Sequence, residues 1–174
     1  MELEIDIEDG EESWPHAEPL FKAIWPQEIV DKLPWAGIRL AYPDQRVMID
    51  ADGAIACHVG LHQRVGTWNG HHVVIGGVGS VLTRADCRGR GFAGAALSAA
   101  IQSLRACSGI DFALSFCEPH YVEFYRYHGW NAFDGHIYAE QPGGRRCFEA
   151  MTPQVFDLRR APRNGEIDLC GLPW

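Results

Sequence analysis

The chain has 174 residues, a formal net charge of −8 and no long apolar run, which predicts a single cytoplasmic domain without a membrane partner. The first twelve residues hold seven acidic and no basic side chains, unlike a signal peptide, and two lysines in the whole chain argue against nucleic-acid binding. Six cysteines without a Cys-x-x-Cys pair indicate reduced thiols, so no metal site is predicted.

The first half of the chain changes from proline-broken helices to strands. The acidic residues 1–12 are predicted to form a solvated arm or an edge strand. Proline spacing and then apolar alternation predict helices at residues 18–24 and 27–33, followed by strands at 46–49, 54–65 and 73–83. Trp68-Asn69-Gly70 is a hairpin signal between the last two strands.

The second half alternates helices and strands. We expect a helix after Gly91, a buried strand at 111–116, a helix near 119–128, closing strands at 130–133 and 146–151, and a tail at 160–174. Strands first and a β-α-β-α-β half afterwards predict an α/β fold, with a mixed, mostly antiparallel central sheet flanked by helices.

A glycine-rich turn, Arg88-Gly-Arg-Gly-Phe-Ala93, follows an apolar strand and opens an alanine-rich helix. Backbone N–H groups and the helix dipole make such a turn suitable for a phosphate or pyrophosphate. A P-loop is excluded because it needs a lysine. The sequence G-x-G-x-x-G is present, but a dinucleotide site needs its first glycine directly after the strand, and five residues intervene here. The pyrophosphate of acyl-CoA is the third interpretation.

Two motifs resemble those of the GNAT N-acetyltransferase superfamily. Arg88-x-x-Gly91-x-Ala93 is similar to its acyl-CoA signature, and Phe124-Tyr125-x-x-x-Gly129-Trp130 is similar to a second segment. The resemblance covers most of residues 46–151 and implies acetyl-CoA as co-substrate, with no metal. It also implies a central strand that splays from its neighbour. The cofactor-binding residues that it implies are Val81, Leu82, Thr83, Arg88, Gly89, Arg90, Gly91, Phe92 and Ala93.

The resemblance implies that Tyr125 hydrogen-bonds the departing sulfur of coenzyme A. The general base stays open. Many relatives place a carboxylate on the central strand, but residues 76–80 hold no acid. The candidates are Glu118, His120, His58 and His62, or a base acting through water.

Two closer resemblances concern the acceptor. Arg84-Ala-Asp-x-Arg-Gly89 and the tail ending at Trp174 are similar to aminoglycoside 2'-N-acetyltransferases. This implies an aminoglycoside or other amino-sugar acceptor near Gly79, Ser80 and Trp174, attracted by Glu166, Asp168 and a terminal carboxylate; a hydrophobic plug is the other interpretation of the tail. Residues 35–39, 56–61 and 84–86 are similar to the nodulation N-acyltransferase.

Three questions stay open from the sequence. A non-catalytic coenzyme-A-binding module and a longer acyl donor are alternatives to acetyl transfer, and a homodimer is compatible with these features.

Overall fold

A curled mixed sheet organises residues 3–174, the part of the chain that this computed structural model describes; positions 1 and 2 of the predicted acidic arm lie outside it. Its strands are β1 (Leu3–Asp9), β2 (Gln45–Ala51), β3 (Ala54–Trp68), β4 (His71–Thr83), β5 (Phe112–Cys117), β6 (Asn131–Ala132), β7 (Asp134–Gln141), β8 (Gly144–Cys147), β9 (Thr152–Asp157) and β10 (Asn164–Asp168). The helices are α1 (Trp14–Ile24), α2 (Gln27–Val30), α3 (Phe92–Ala106) and α4 (Val122–Tyr127).

The order of the strands agrees with the predicted fold class. The main path is β6-β9-β5-β4-β3-β10-β7-β8, while β2 and then β1 extend from the other part of β3. Only the β4/β5 and β7/β10 pairs are parallel among the described strand pairs, so the sheet is mixed and mostly antiparallel as expected. The long β3–β4 hairpin turns at Asn69-Gly70, where both residues have a positive φ (50° and 78°), as a two-residue turn of this kind requires.

The acidic N-terminal segment is an edge strand over residues 3–9. β1 pairs along its whole length with β2, so the solvated-arm alternative is wrong for these residues. Helix α1 begins at Trp14, earlier than predicted, because Pro15 fits the first turn of a helix, where its missing N–H costs nothing. Helix α2 ends at Val30, so it is shorter than the helix predicted over residues 27–33.

The C-terminal third contains strands that the sequence pattern did not indicate. The predicted strands at 130–133 and 146–151 are β6, with two residues, and β8, which ends at Cys147. Strands β7, β9 and β10 were missed. β10 reads Asn-Gly-Glu-Ile-Asp and buries only Ile167, so it lacks the apolar alternation that marks a strand.

The two central parallel strands separate part-way along their length. Pairing between β4 and β5 runs from Ile75–Phe112 to Val78–Ser115, although both strands continue beyond it. Helix α3 covers one face of the sheet, where Leu104 packs over Gly76. On the other face the buried indole of Trp174 lies over Gly77 and donates a hydrogen bond from Nε1 to the Leu114 carbonyl oxygen (2.9 Å). The tail is therefore packed against the sheet beside the opening.

Replacing Gly77 with alanine is expected to lower the free energy of unfolding by about 1–3 kcal/mol. The new Cβ would lie 2.4 Å from the Trp174 ring, so the indole must shift. Urea denaturation measures the change, and Trp174→Leu provides the control background. We expect Gly77→Ala to cost little once the indole is gone; an equal cost in both backgrounds would contradict this packing.

Candidate functional site

A cavity of about 590 Å³ lies where β4 and β5 separate. It joins the N-terminus of α3, the end of β5, helix α4 and the tail. Most of the residues that the sequence analysis selected line it: Gly79, Ser80, Val81, Leu82, Thr83, Arg88, Gly89, Gly91, Phe92, Ala93, Glu118, Tyr125 and Trp174. The other selected residues are not among those that line it: Arg90, His120, His58, His62, Glu166 and Asp168.

A β-bulge shapes the β4 side of the cavity. His58 pairs with Leu82 and Gly60 with Gly79, so Ser80 and Val81 of β4 face one residue of β3. Ser80 has a φ of 48°, a left-handed conformation that is uncommon for a residue with a side chain. A bulge interrupts the ladder and turns backbone groups away from the neighbouring strand. Beyond Val78, β4 no longer pairs with β5, so its backbone groups on that side are available to a ligand in the cavity.

The glycine turn forms the second end of the cavity. Gly89 and Gly91 have positive φ values of 72° and 82°, and Gly91 is the residue directly before α3. Because α3 spans fifteen residues, its first turn presents unpaired N–H groups and the positive end of the helix dipole. The side chain of Arg88 bends back and donates from Nε to the Thr83 carbonyl oxygen (3.2 Å). The arrangement suits a pyrophosphate.

Tyr125 of α4 is one of the residues that line the cavity. Tyr125 is buried, and its hydroxyl oxygen accepts a hydrogen bond from Ser115 Oγ of β5 (3.3 Å). Its own proton is thus left for a ligand. Burial raises the pKa of Tyr125 to about 12, so the phenol stays protonated at neutral pH and can donate.

Glu118, which follows β5, is the one acidic side chain among the residues that line the cavity. Its neighbour Cys117 also lines it, but burial and then the charge of Glu118 raise the pKa of that thiol to about 11. A thiol that stays protonated at neutral pH is a poor nucleophile. The lining therefore offers a carboxylate base and a phenol donor, and Cys117 is not an activated nucleophile.

A family model for the acetyltransferase (GNAT) domain matches residues 12–133, more than half of the chain. This chain belongs to the GNAT acetyltransferase family. No curated protein matches it in sequence.

Solved structures show the same GNAT fold at low sequence identity. A GNAT family N-acetyltransferase from Escherichia coli, in complex with CoA, is 16% identical with a TM-score of 0.65, covering 97% of this chain and 89% of that one. A GNAT family acetyltransferase from Brucella melitensis, in complex with acetyl-CoA, is 17% identical with a TM-score of 0.59, covering 95% and 94%. Among the described residues of this GNAT chain, no helix has both the length and the apolarity needed to cross a membrane.

His58 of β3 contacts the β4 bulge of this GNAT sheet through its imidazole ring. Arg46 Nη1 lies 3.0 Å from His58 Nε2, and His58 Nδ1 lies 2.8 Å from the Ser80 carbonyl oxygen. Because an arginine can only donate, Nε2 accepts and Nδ1–H donates to Ser80. Burial lowers the pKa of His58 to about 4 and keeps this tautomer neutral. With both ring nitrogens engaged, His58 positions the bulge and has no nitrogen left to act as a base.

Aromatic rings surround Arg46, which is itself buried. Its guanidinium carbon lies 5.0 Å from the ring centroids of Trp14 and Tyr42 and 5.8 Å from that of Phe21. The Nε group donates to the Gly10 carbonyl oxygen (2.9 Å). Helix α1 and the end of β1 thus stabilise the arginine that orients His58.

His62 lies under the tail. Its ring stacks on Trp174 with centroids 5.3 Å apart, and Arg64 lies on the same indole at 5.2 Å. Burial, and then the charge of Arg64, lower the pKa of His62 to about 3. His62 is not among the residues that line the cavity. Its contacts support the tail instead.

Two carboxylates that the sequence analysis placed at the acceptor lie elsewhere. Asp168 pairs with Arg145 (2.5 Å), and Glu166 accepts from the Tyr138 hydroxyl (3.4 Å); neither lines the cavity. The expectation that they attract the acceptor amine is wrong, because β10 lies beyond β3 from the opening.

Sequence reasoning also missed residues that do line the cavity or orient its groups. Ser115 had a local signal, as a polar residue inside an apolar strand that alternates faces. Six further missed residues come from three distant segments: Ile24, Trp25, Trp35, Leu40, Phe148 and Met151.

Stability is expected to fall on mild acidification because the folded chain holds His58 and His62 neutral. With the folded pKa values near 4 and 3 and an unfolded value near 6.5, the unfolded state takes up protons first. The stability that comes from keeping these two histidines neutral is complete above about pH 6.5. It is lost as the pH falls from there towards the folded pKa values. At pH 5 each histidine lowers the free energy of unfolding by about 2 kcal/mol relative to its value at neutral pH.

Urea denaturation of His62→Gln at pH 7 and pH 5 tests this. The loss between the two values should be smaller than in the wild type by about 2 kcal/mol. The matched control, His71→Gln, removes an exposed histidine of the adjacent strand and should keep the wild-type loss. An unchanged loss in His62→Gln would contradict the assignment.

Proposed function

We propose that this chain transfers an acetyl group from acetyl-CoA to a primary amine of a small molecule. The observation that carries the proposal is the single cavity that joins the glycine turn, the β4 bulge and Tyr125 through the opening between β4 and β5. When bound, acetyl-CoA supplies an activated thioester. The residues present fit it: Gly89 and Gly91 leave space beside the α3 N-terminus, and the bulge turns backbone groups towards the pantetheine arm.

The side chains of this protein position the reactants and provide one proton donor and one proton acceptor. Tyr125 Oη donates a hydrogen bond to the sulfur as it departs, while Ser115 Oγ keeps the phenol oriented. The Glu118 carboxylate accepts the proton that the amine nitrogen loses. Of the four base candidates, we favour Glu118 because it alone lines the cavity; His58, His62 and His120 do not.

Tyr125→Phe is expected to lower kcat about 100-fold or more, with little change in CoA affinity, because it removes only the proton donor. Thiol release measures kcat, and calorimetry with CoA measures binding. The control is Tyr121→Phe, which removes a phenol that also lines the cavity but is half exposed. Tight CoA binding without amine-dependent thiol release in the wild type would support the non-catalytic alternative and contradict the proposal.

The acceptor end of the cavity is apolar. On the tail side of the sheet, the lining residues are Ile24, Trp25, Trp35, Leu40, Phe116, Phe148, Met151 and Trp174. Trp25 and Trp35 contact edge to face at 5.0 Å, and Phe116 contacts Phe148 at 4.9 Å. Such a surface favours an amine whose body is aromatic or aliphatic.

The amino-sugar acceptor suggested by the sequence resemblances gains little support from this lining. An aminoglycoside carries several positive charges, and burying them requires several partners. Glu118 is the one acidic side chain available along the wall. We therefore propose a primary amine with a single positive charge and an apolar body as the acceptor.

A panel of acceptors tests the proposed class. We expect kcat/KM for phenethylamine or hexylamine to exceed that for glucosamine and kanamycin by about tenfold or more, a difference of about 1.4 kcal/mol. Phe148→Ala should raise KM for phenethylamine and leave CoA binding unchanged, because it shortens only the acceptor wall. A higher kcat/KM for kanamycin would overturn the apolar acceptor. If octanoyl-CoA is the better donor, the apolar wall holds the acyl chain instead.

A further inference from the structure

A cluster of metal-ligating side chains lies outside the acetyl-transfer site, on the β7–β8 hairpin. Its members are His136 of β7, Cys147 at the end of β8, and Glu149 just after it. The Cys147 sulfur lies 3.8 Å from His136 Nδ1 and 3.8 Å from a Glu149 carboxylate oxygen. All three ligand atoms lie within 4.8 Å of one another.

The register of the hairpin explains why three residues so far apart in sequence meet. Tyr138 pairs with Cys147, and the next backbone hydrogen bond runs from Phe148 N to the Ile137 carbonyl oxygen (2.7 Å). The same antiparallel register places Glu149 opposite His136, with Cys147 diagonal to it. Because side chains alternate along a strand, these three share one face, while Phe148 between them points into the cavity.

We propose that His136, Cys147 and Glu149 form a site for a borderline-soft divalent cation of the Zn²⁺ class. Metal–ligand distances of about 2.0–2.3 Å in a tetrahedral geometry place ligand atoms about 3.3–3.6 Å apart. The observed 3.8 Å separations need only small side-chain movements to reach that range. An imidazole, a thiolate and a carboxylate select Zn²⁺ or Co²⁺ over Mg²⁺ and Ca²⁺, which prefer oxygen ligands.

Three protein ligands leave one tetrahedral position for water. The cluster faces solvent, so an ion can enter without rearrangement of the core. On binding, the sulfur–hydrogen bond of Cys147 is replaced by a sulfur–metal bond and the proton passes to solvent. The ion would also join the two residues that flank Phe148, and so fix a segment that contributes to the acceptor wall.

Cobalt titration of the reduced, chelator-treated chain tests the site. We expect an intense near-ultraviolet thiolate-to-Co²⁺ band that saturates at about one equivalent and disappears when Zn²⁺ is added. Cys147→Ser should abolish the band, and His136→Gln and Glu149→Gln should each weaken Zn²⁺ binding about tenfold or more, as measured by calorimetry. The matched controls are Cys107→Ser and Cys170→Ser, which remove exposed thiols elsewhere and should keep the band.

A second measurement uses the unmodified chain. Zn²⁺ should slow alkylation of Cys147 and leave that of Cys107 unchanged, as followed by peptide mass spectrometry. Absence of the thiolate band, its survival in Cys147→Ser, or equal alkylation of Cys147 with and without Zn²⁺ would overturn the proposal.

Discussion

Hydrogen bonding between β4 and β5 stops at Val78–Ser115 while both strands continue, and the site is built around that interruption. On one side, Ser80 and Val81 bulge out of the β3–β4 ladder. On the other, Ser115 is the last residue of β5 that pairs with β4 and orients Tyr125, and Glu118 follows the strand. A fully paired sheet would close the space between the phenol and the glycine turn. The donor and acceptor groups can meet only because these two strands do not complete their ladder.

Two buried networks hold this opening in shape. At the bulge, Arg46 fixes the tautomer of His58. The Nδ1–H group of His58 then binds the carbonyl oxygen of Ser80, a residue with a strained left-handed backbone. Above the paired part of the strands, Trp174 hydrogen-bonds Leu114 and fills the space that Gly77 leaves. Backbone strain of this kind persists only where the surroundings determine it. Both networks use residues that do not react, which fits a positioning role.

Most residues proposed for the donor side line the cavity, and they could be selected from the sequence because that side is local. Gly89, Gly91 and the start of α3 are neighbours in the chain, and their turn chemistry can be recognised without knowledge of the fold. The acceptor side could not be predicted in the same way. Trp25, Trp35 and Phe148 meet only when α1, the segment before β2 and the β7–β8 hairpin pack over the same face. Single aromatic residues in such segments carry no signal of what they will face.

The cluster on the β7–β8 hairpin could not be predicted from the sequence either. His136 and Cys147 are eleven positions apart, and their approach depends on the β7–β8 register, while β7 itself was not predicted. Glu166 and Asp168 show the converse error. Their position near the tail in sequence suggested an acceptor role, but the long β3 strand separates β10 from the opening. The sequence shows that these side chains are acidic, but it did not indicate where they lie relative to the cavity.

A crystal structure of the chain with bound CoA would show whether the opening between β4 and β5 is the coenzyme site. We expect the pyrophosphate on the backbone N–H groups of residues 88–93, the pantetheine arm along the bulge, and the sulfur within about 3.5 Å of Tyr125 Oη. A sulfur away from Tyr125, or CoA bound outside the opening between β4 and β5, would contradict it.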